Sequence, residues 1–322
     1  MTPTQKPSKY FEERLSLYVK EHLLPGLDLG NPKFGIEITN RGCHSLIIYL
    51  QVEGVKPLII RGVRKRYKLE RIVRNCRYLS QHGFNVPEVL YVDDSAKTYR
   101  EFGHYIVVEE RIEGRSLNEF ADLTDFLPLI AQTFAQLHSI DTDRWGMIGS
   151  EKKLGFFRYI NKKAQNELTQ LVHRYKDFLA AKEKKAYSAW FKDNRRMINS
   201  SHSFSLCHGD PYLTNILITK DRQLYLLDND HTKYYPMAIE FFKFGFVLNQ
   251  DDPEKMAMWQ GLYFQRLSER MQEEFQRSKN FYLAFVLLHI TFELLKDNWR
   301  RERPYTFSPV RAKHLFRQCI EG

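Results

Sequence analysis

The chain has 322 residues, 43% of them hydrophobic, 14% aromatic and 27% charged, enough apolar material for one large domain or two lobes and nothing like the composition of a long disordered region. The formal net charge of +10 attracts anions in general, among them nucleotides, phosphorylated substrates, nucleic acid and acidic membrane surfaces, without choosing between them. Cys43, Cys76, Cys207 and Cys319 form no CxxC pair, and Met1 to Pro7 lacks the apolar core of a signal peptide. The cysteine spacing argues against a disulfide framework and a zinc site, and a cytoplasmic setting is expected.

From Ser8 to Leu24 the apolar spacing predicts an amphipathic helix, stopped by Pro25-Gly26. Ser45 to Val52 and Pro57 to Ile60 read as strands of a hairpin around Glu53-Gly54-Val55-Lys56. Leu69, Ile72, Val73, Cys76 and Leu79 then recur at helical spacing up to Gly83, and Val86 to Val92 and His104 to Arg111 read as two further strands. The densest basic stretch, Arg61 to Arg77, overlaps this helix and reads equally as a solvated face or an anion-binding one. After Glu113-Gly114 the pattern turns helical. It opens with a capping-box sequence, Ser116-Leu117-Asn118-Glu119, and continues through Thr124 to Ser139, 157–181 and 183–199. Short β-like runs, Phe204 to Cys207, Ile216 to Thr219 and Gln223 to Leu227, interrupt the helices, which resume at Met237. The greasiest segment, Phe281 to Phe292, is too short to cross a bilayer and reads as a buried helix. The expected fold is therefore α+β and two-lobed, with a β-rich lobe over residues 1–112 and a mainly helical lobe over 113–322.

The chemistry concentrates in residues 208–228. An apolar strand delivers His208-Gly209-Asp210 to a polar loop, Asn215 follows five residues after Asp210, and a second apolar run ends in Asp228-Asn229-Asp230. Phosphoryl transfer needs a carboxylate to orient and finally deprotonate a hydroxyl, and hard oxygen ligands to hold magnesium on the phosphates. Asp210 fits the base, and Asn215 and Asp228 fit the metal ligands at the interval of a kinase catalytic loop. Asp230 and His231 are candidates for a second metal, for substrate, or for shaping the turn. No GxxxxGK[ST], HExxH or GxSxG motif is present, which removes P-loop enzymes, zinc proteases and nucleophile-elbow hydrolases.

HGDxxxxN followed by an apolar strand and an Asp resembles the aminoglycoside phosphotransferase and choline kinase-like family, as do Phe84 to Leu90 and Ala135 to Asp141. The resemblance implies a protein-kinase-like fold, ATP and Mg2+ as cofactors, and catalysis by Asp210 with metal at Asn215 and Asp228. It also implies that Arg61 contacts the nucleotide phosphates with Glu70 as its partner, and that Glu109, Glu110 and Arg111 form the hinge whose backbone receives adenine. Two departures stand out: Thr39 to Ser45, where a phosphate-covering loop belongs, has one glycine, and Glu240 stands where the family has an Asp bracing the catalytic loop. His208 and His138 read as structural.

The acceptor is expected to be a hydroxyl of a small molecule or sugar. Aminoglycosides are polycations that favour acid-lined sites, so a basic chain points rather to a sugar, an amino alcohol or an anionic sugar such as a lipopolysaccharide core unit, with peripheral contact to an anionic membrane. A protein acceptor and a regulatory pseudokinase are the alternatives within the fold. Nucleic acid is disfavoured, because no recognised binding module accompanies the basic stretch.

Overall fold

The computed structural model describes residues 9–39, 45–175, 179–199, 203–249, 252–295 and 308–321, so most of the expected phosphate-covering loop, 40–44, lies outside the described residues. The chain divides into two compact units, Met1–Ser116 with Ile216–Asp230, and Leu117–Asn215 with His231–Gly322.

The first unit opens with α1 (Lys9–Tyr18), which runs on through a π turn over Val19–Leu23 into α2 (Leu24–Gly26). The helical run ends at Gly26, at the Pro25-Gly26 stop expected from the sequence. Strands β1 (Phe34–Thr39), β2 (Leu46–Val52) and β3 (Leu58–Val63) precede α3 (Arg66–Gln81), and β4 (Val89–Asp93), α4 (Ala96–Phe102) and β5 (Tyr105–Glu110) follow it. The sheet is antiparallel in the order β1-β2-β3-β5-β4. β1 and α4 are absent from the sequence reading. β4 begins three residues later than expected, at Val89, after the extended segment that contains Pro87.

Alternation along these strands sorts side chains to two faces. Ile48, Leu50, Val52, Leu58, Ile60, Ile106 and Val108 bury against Leu15, Tyr18, Val19 and Leu23 of the N-terminal helix. On the other face Val63 and Val107 pack with Leu69, Ile72 and Cys76 of α3. Each fully buried aliphatic or aromatic side chain contributes about 1.5–3 kcal/mol, so the two helices and the sheet stabilise one another.

The expected capping box does not start an α-helix. Arg115–Ser116 is instead a short strand, β6, and Leu117–Glu119 a single 3-10 turn. In the second unit come α5 (Leu127–Ser139), β7 (Asp141–Thr142), β8 (Gly146–Met147), α6 (Phe156–Arg174), α7 (Ala181–Asp193), α8 (Arg196–Asn199) and β9 (Phe204–Cys207). The chain then returns to the first unit with β10 (Ile216–Ile218) and β11 (Leu224–Leu226). Sequence order puts 216–230 beyond residue 112, but β10 pairs with both β6 and β11, and the Leu226 N–H donates to the Asn85 carbonyl. Those hydrogen bonds assign the segment to the first unit. The second unit resumes with β12 (Lys233–Tyr235), which joins β7, β9 and β8 in a four-stranded sheet, and closes with α9 (Met237–Asn249), α10 (Pro253–Phe264), α11 (Glu269–Leu295) and α12 (Pro309–Glu321).

Aromatic rings dominate the core of this second unit. Phe241 stacks on Trp259 at 5.6 Å and meets Phe275 edge-on at 5.1 Å, while Phe134 stacks on Phe244 at 4.5 Å. Phe281 to Phe292 lies within α11, where all but two of its residues are buried. Among the described residues no helix is long and apolar enough to cross a membrane.

Gly114 ties the first unit's small sheet together, since a Cβ there would meet Leu217 Cδ2 and, at 2.6 Å, the Ile218 carbonyl oxygen. Gly114→Ala is expected to cost about 1–3 kcal/mol through overpacking. Thermal unfolding checks this: the variant should melt several degrees below the parent.

Candidate active site

The segment from His208 to Asn215 begins where β9 ends, in the second unit. Three consecutive backbone positions leave the strand with N–H groups that the sheet does not satisfy, and buried N–H groups require partners. Glu240 of α9 supplies two. Its Oε2 accepts from the His208 N–H at 2.9 Å and its Oε1 from the Gly209 N–H at 2.6 Å, while His138 Nε2–H donates to Oε2 at 3.0 Å. The third, the Asp210 N–H, donates to His208 Nδ1 at 3.3 Å. Burial, the strongest influence, pushes the Glu240 carboxyl up, but His138, the charge of His208 and the Gly209 N–H outweigh it, and the group lies below the ordinary glutamate value. The brace expected of an Asp is thus made by a Glu.

His138 is completed by the Tyr263 hydroxyl, 2.5 Å from Nδ1. Together with Cys207, His138 and Glu240 place ligand-type atoms within 4.8 Å of one another. Their hydrogen bonds already engage both imidazole nitrogens and both carboxylate oxygens, and burial pushes the Cys207 thiol well up. The group is a brace rather than a metal centre. Gly209 has φ +82°, and a Cβ would lie 2.2 Å from the His231 carbonyl oxygen, so glycine is required here on both conformational and steric grounds.

Within the loop, Asn215 Nδ2–H donates to the Asp210 carbonyl at 2.9 Å and to Asp210 Oδ2 at 3.1 Å. The five-residue spacing closes a small ring that fixes both side chains. Asp210 Oδ1 faces Lys243 Nζ at 3.5 Å, and the same ammonium lies 4.7 Å from the centre of the Tyr212 ring. The sequence reading passed over Lys243. The signal was available, since Lys243 is three residues after Glu240 and so shares its face of α9.

The first unit holds a separate cluster. Arg61 and Glu109 sit diagonally across β3 and β5, which pair Ile59 with Glu109 and Arg61 with Val107. Arg61 Nε–H donates to Glu109 Oε2 at 3.1 Å, and a terminal N–H donates to Asp228 Oδ1 at 2.9 Å. Burial opposes the charge, but the two carboxylates hold the guanidinium above its ordinary value. Glu70 is not the partner of Arg61. It lies exposed on the second turn of α3 and pairs with Arg66 at 3.5 Å, whereas Glu109 is 3% exposed on the strand beside Arg61. Arg64 and Lys65, the neighbouring basic candidates, are exposed.

Asp228 has φ +57°, a strained value for a side-chain-bearing residue, and its turn is pinned from several sides. Asn75 Nδ2–H donates to the Asn229 carbonyl at 2.7 Å, Asn229 Nδ2–H donates back to the Leu226 carbonyl at 2.9 Å, and Lys68 pairs with Asp230 at 3.2 Å. Asp230 is thus a buried ion-pair residue, while the His231 side chain is exposed. Of the expected hinge, the Glu110 N–H donates to the Glu88 carbonyl and the Arg111 N–H to the Pro57 carbonyl, both at 2.9 Å. Neither N–H is left for a ligand. The Arg111 guanidinium lies over the Tyr49 ring at 4.0 Å.

Glu240→Gln is expected to destabilise by on the order of 3 kcal/mol, because an amide N–H would face another donor in a buried site. The pH dependence gives a second check. A carboxylate whose folded value lies below the reference of 4.5 contributes stability above that reference and loses it as pH falls through the folded value. Melting temperature measured across the acid range should therefore fall less steeply in Glu240→Gln than in the parent.

No curated protein sequence matches the chain significantly. Solved structures do. An ethanolamine kinase from Plasmodium vivax matches with a TM-score of 0.64 and 17% identity over 98% of this chain and 96% of its own. A thermostable mutant of aminoglycoside phosphotransferase APH(4)-Ia, in ternary complex with ADP and hygromycin B, matches with a TM-score of 0.60 and 13% identity over 94% of this chain and 98% of its own. A complex of APH(2")-IIia with GDP and kanamycin matches at 0.58 and 11% over 96% and 98%. At these identities the likeness speaks for the fold. The family model described as the phosphotransferase enzyme family, APH, matches residues 39–273, well over half of the sequence, and the chain belongs to that family.

Proposed function

We propose that this phosphotransferase is an ATP- and magnesium-dependent kinase that moves the γ-phosphoryl group to a hydroxyl of a small molecule or sugar. The observation that carries the reading is the Asp210 carboxylate, one oxygen held by Asn215 and the other facing Lys243, in a loop braced by Glu240. A carboxylate fixed in this way is set to accept a proton in one direction only. The acceptor hydroxyl donates its hydrogen bond to Asp210. Its oxygen forms a bond to the γ-phosphorus as the bond to the β,γ-bridging oxygen breaks. ADP leaves with that electron pair, and the hydroxyl proton passes late to Asp210.

The donor set fits magnesium. Asn215 uses Nδ2 on Asp210, while its hard Oδ1 accepts only a long 3.4 Å bond from the exposed Thr214 hydroxyl, and the Asp228 side chain is 42% exposed on its strained turn. Each would offer a hard oxygen to the ion, which when bound neutralises charge on the phosphates. Arg61, fixed by Glu109 and Asp228, is the phosphate contact on the first unit. Adenine recognition shifts from the Glu110 and Arg111 N–H groups to Ile112 and Glu113, whose backbone groups have no hydrogen-bond partner among the described residues. The nucleotide complexes of the aminoglycoside phosphotransferases support a nucleoside triphosphate as donor, with adenine and guanine both represented. The pseudokinase alternative loses ground, since Asp210, Asn215 and Asp228 are all present.

Asp210→Asn should lower kcat by about 10²–10⁴-fold while nucleotide affinity stays within about twofold of the parent. Asp228→Asn should instead weaken magnesium-dependent nucleotide binding by about tenfold or more. Single-turnover transfer from labelled ATP and nucleotide titrations with and without magnesium separate the two. Undiminished turnover in Asp210→Asn would sink the assignment.

A further inference from the structure

On the first unit, α3 and the end of β4 line a cavity of about 370 Å³. Small-molecule sites run from about 300 to 1,000 Å³, so the space suits a compact ligand. Its floor is apolar. Leu69 and Val73 come from α3, and Val92 comes from β4, the last strand of the sheet. Val89 packs with α3 but Tyr91 with the N-terminal helix, so the register shift between them switches faces and turns Val92 toward α3. Val92 stays 39% exposed there.

The rim carries charge of both signs, unequally satisfied. Of the carboxylates that line the cavity, Glu70 pairs with Arg66 at 3.5 Å and Asp94 with the same guanidinium at 2.5 Å. Both acids thus have a cation. Arg74 and Arg77 also line the cavity, three residues apart and so on one face of α3, and neither side chain forms a hydrogen bond or ion pair among the described residues. Arg74 is half-buried, and its Nε is shut off from solvent with no hydrogen-bond partner. A buried donor left unmade is costly, so this arginine is no ordinary solvated side chain. Beside the pair, the Tyr78 ring is held against His82 at 4.2 Å.

We propose that this groove binds a small organic anion, its phosphate or carboxylate held by Arg74 and Arg77 and its apolar or aromatic body lying on Leu69, Val73, Val92 and Tyr78. Guanidinium groups match such anions in geometry as well as charge. The helix that would hold the ligand also pins the Asp228 turn within the same unit. Arg74 directly precedes Asn75, which donates to the Asn229 carbonyl, and Lys68 pairs with Asp230 from the start of the same helix. A ligand that joins α3 to β4 orders the helix and, through it, the turn that presents Asp228. Occupancy of the groove therefore tightens magnesium-nucleotide binding, an effect that rests on the kinase reading, whereas the groove itself does not.

The probe is phenyl phosphate, titrated calorimetrically into the full chain beside inorganic phosphate, which lacks the ring, and benzyl alcohol, which lacks the charge. Phenyl phosphate should bind about tenfold tighter than either, and its affinity should fall about tenfold in Arg74→Gln and in Arg77→Gln. Arg77 is exposed, so its substitution leaves the packing of α3 intact, and Arg100→Gln on the exposed face of α4 should change nothing. Saturating phenyl phosphate should tighten ATP binding in the presence of magnesium by about fivefold in the parent and not in Arg77→Gln. Binding that is indifferent to both arginines, or no tighter than that of inorganic phosphate, overturns the groove site and leaves the kinase reading standing. Arginine-dependent binding with ATP affinity unmoved overturns the link to the Asp228 turn. Arginine-dependent binding by a chain that takes up no nucleotide overturns the kinase reading and leaves the groove site standing.

Discussion

A buried carboxylate that accepts two successive backbone N–H groups is the constraint around which the second unit is organised. Glu240 could not be placed 3% exposed in an aromatic core without donors on both oxygens, and the end of β9 supplies them at His208 and Gly209. The bargain is mutual: the loop gains fixed geometry and the charge gains compensation. His138 and Tyr263 extend the network into α5 and α10, so the position of Asp210 is tied to the packing of three helices.

The first unit fixes its own charged groups by a different device. Asp228 is held at a positive φ, and such a conformation persists only where neighbours over-determine it. Here Asn75, Asn229 and Lys68 lock the turn on one side while Arg61 and Glu109 hold the carboxylate on the other. Helix α3 therefore serves the turn as much as the sheet: its buried face carries Asn75 and Cys76 inward, and its first turns offer Lys68. Much of the Arg61 to Arg77 stretch, by contrast, is solvated or satisfied locally, as with Arg71 lying over the Tyr67 ring.

The excess of positive charge thus has two unlike components. Along α3 it is largely surface charge, screened within a Debye length of roughly 8 Å at physiological salt. In the second unit Lys243 is partly buried and faces the candidate base, where screening is weaker.

What the sequence determined by itself was whatever depends on local spacing. The alternation in Leu58 to Val63, the helical recurrence in α3, the strand–loop–strand pattern around Asp210 and the five-residue step to Asn215 are short-range, and the structure follows them closely. Glycine at 209 was visible as part of the motif, though only the His231 carbonyl explains why no other residue fits. Tertiary structure alone decided the pairings between distant residues: Glu109 rather than Glu70 for Arg61, Lys243 for Asp210, and β10 with β6 in place of the expected helix cap. A single chain records which residues can form an ion pair but not the strand register and helix placement that bring two of them within reach. Side chains that meet across more than a few turns of chain are chosen by packing, and packing is a property of the whole fold.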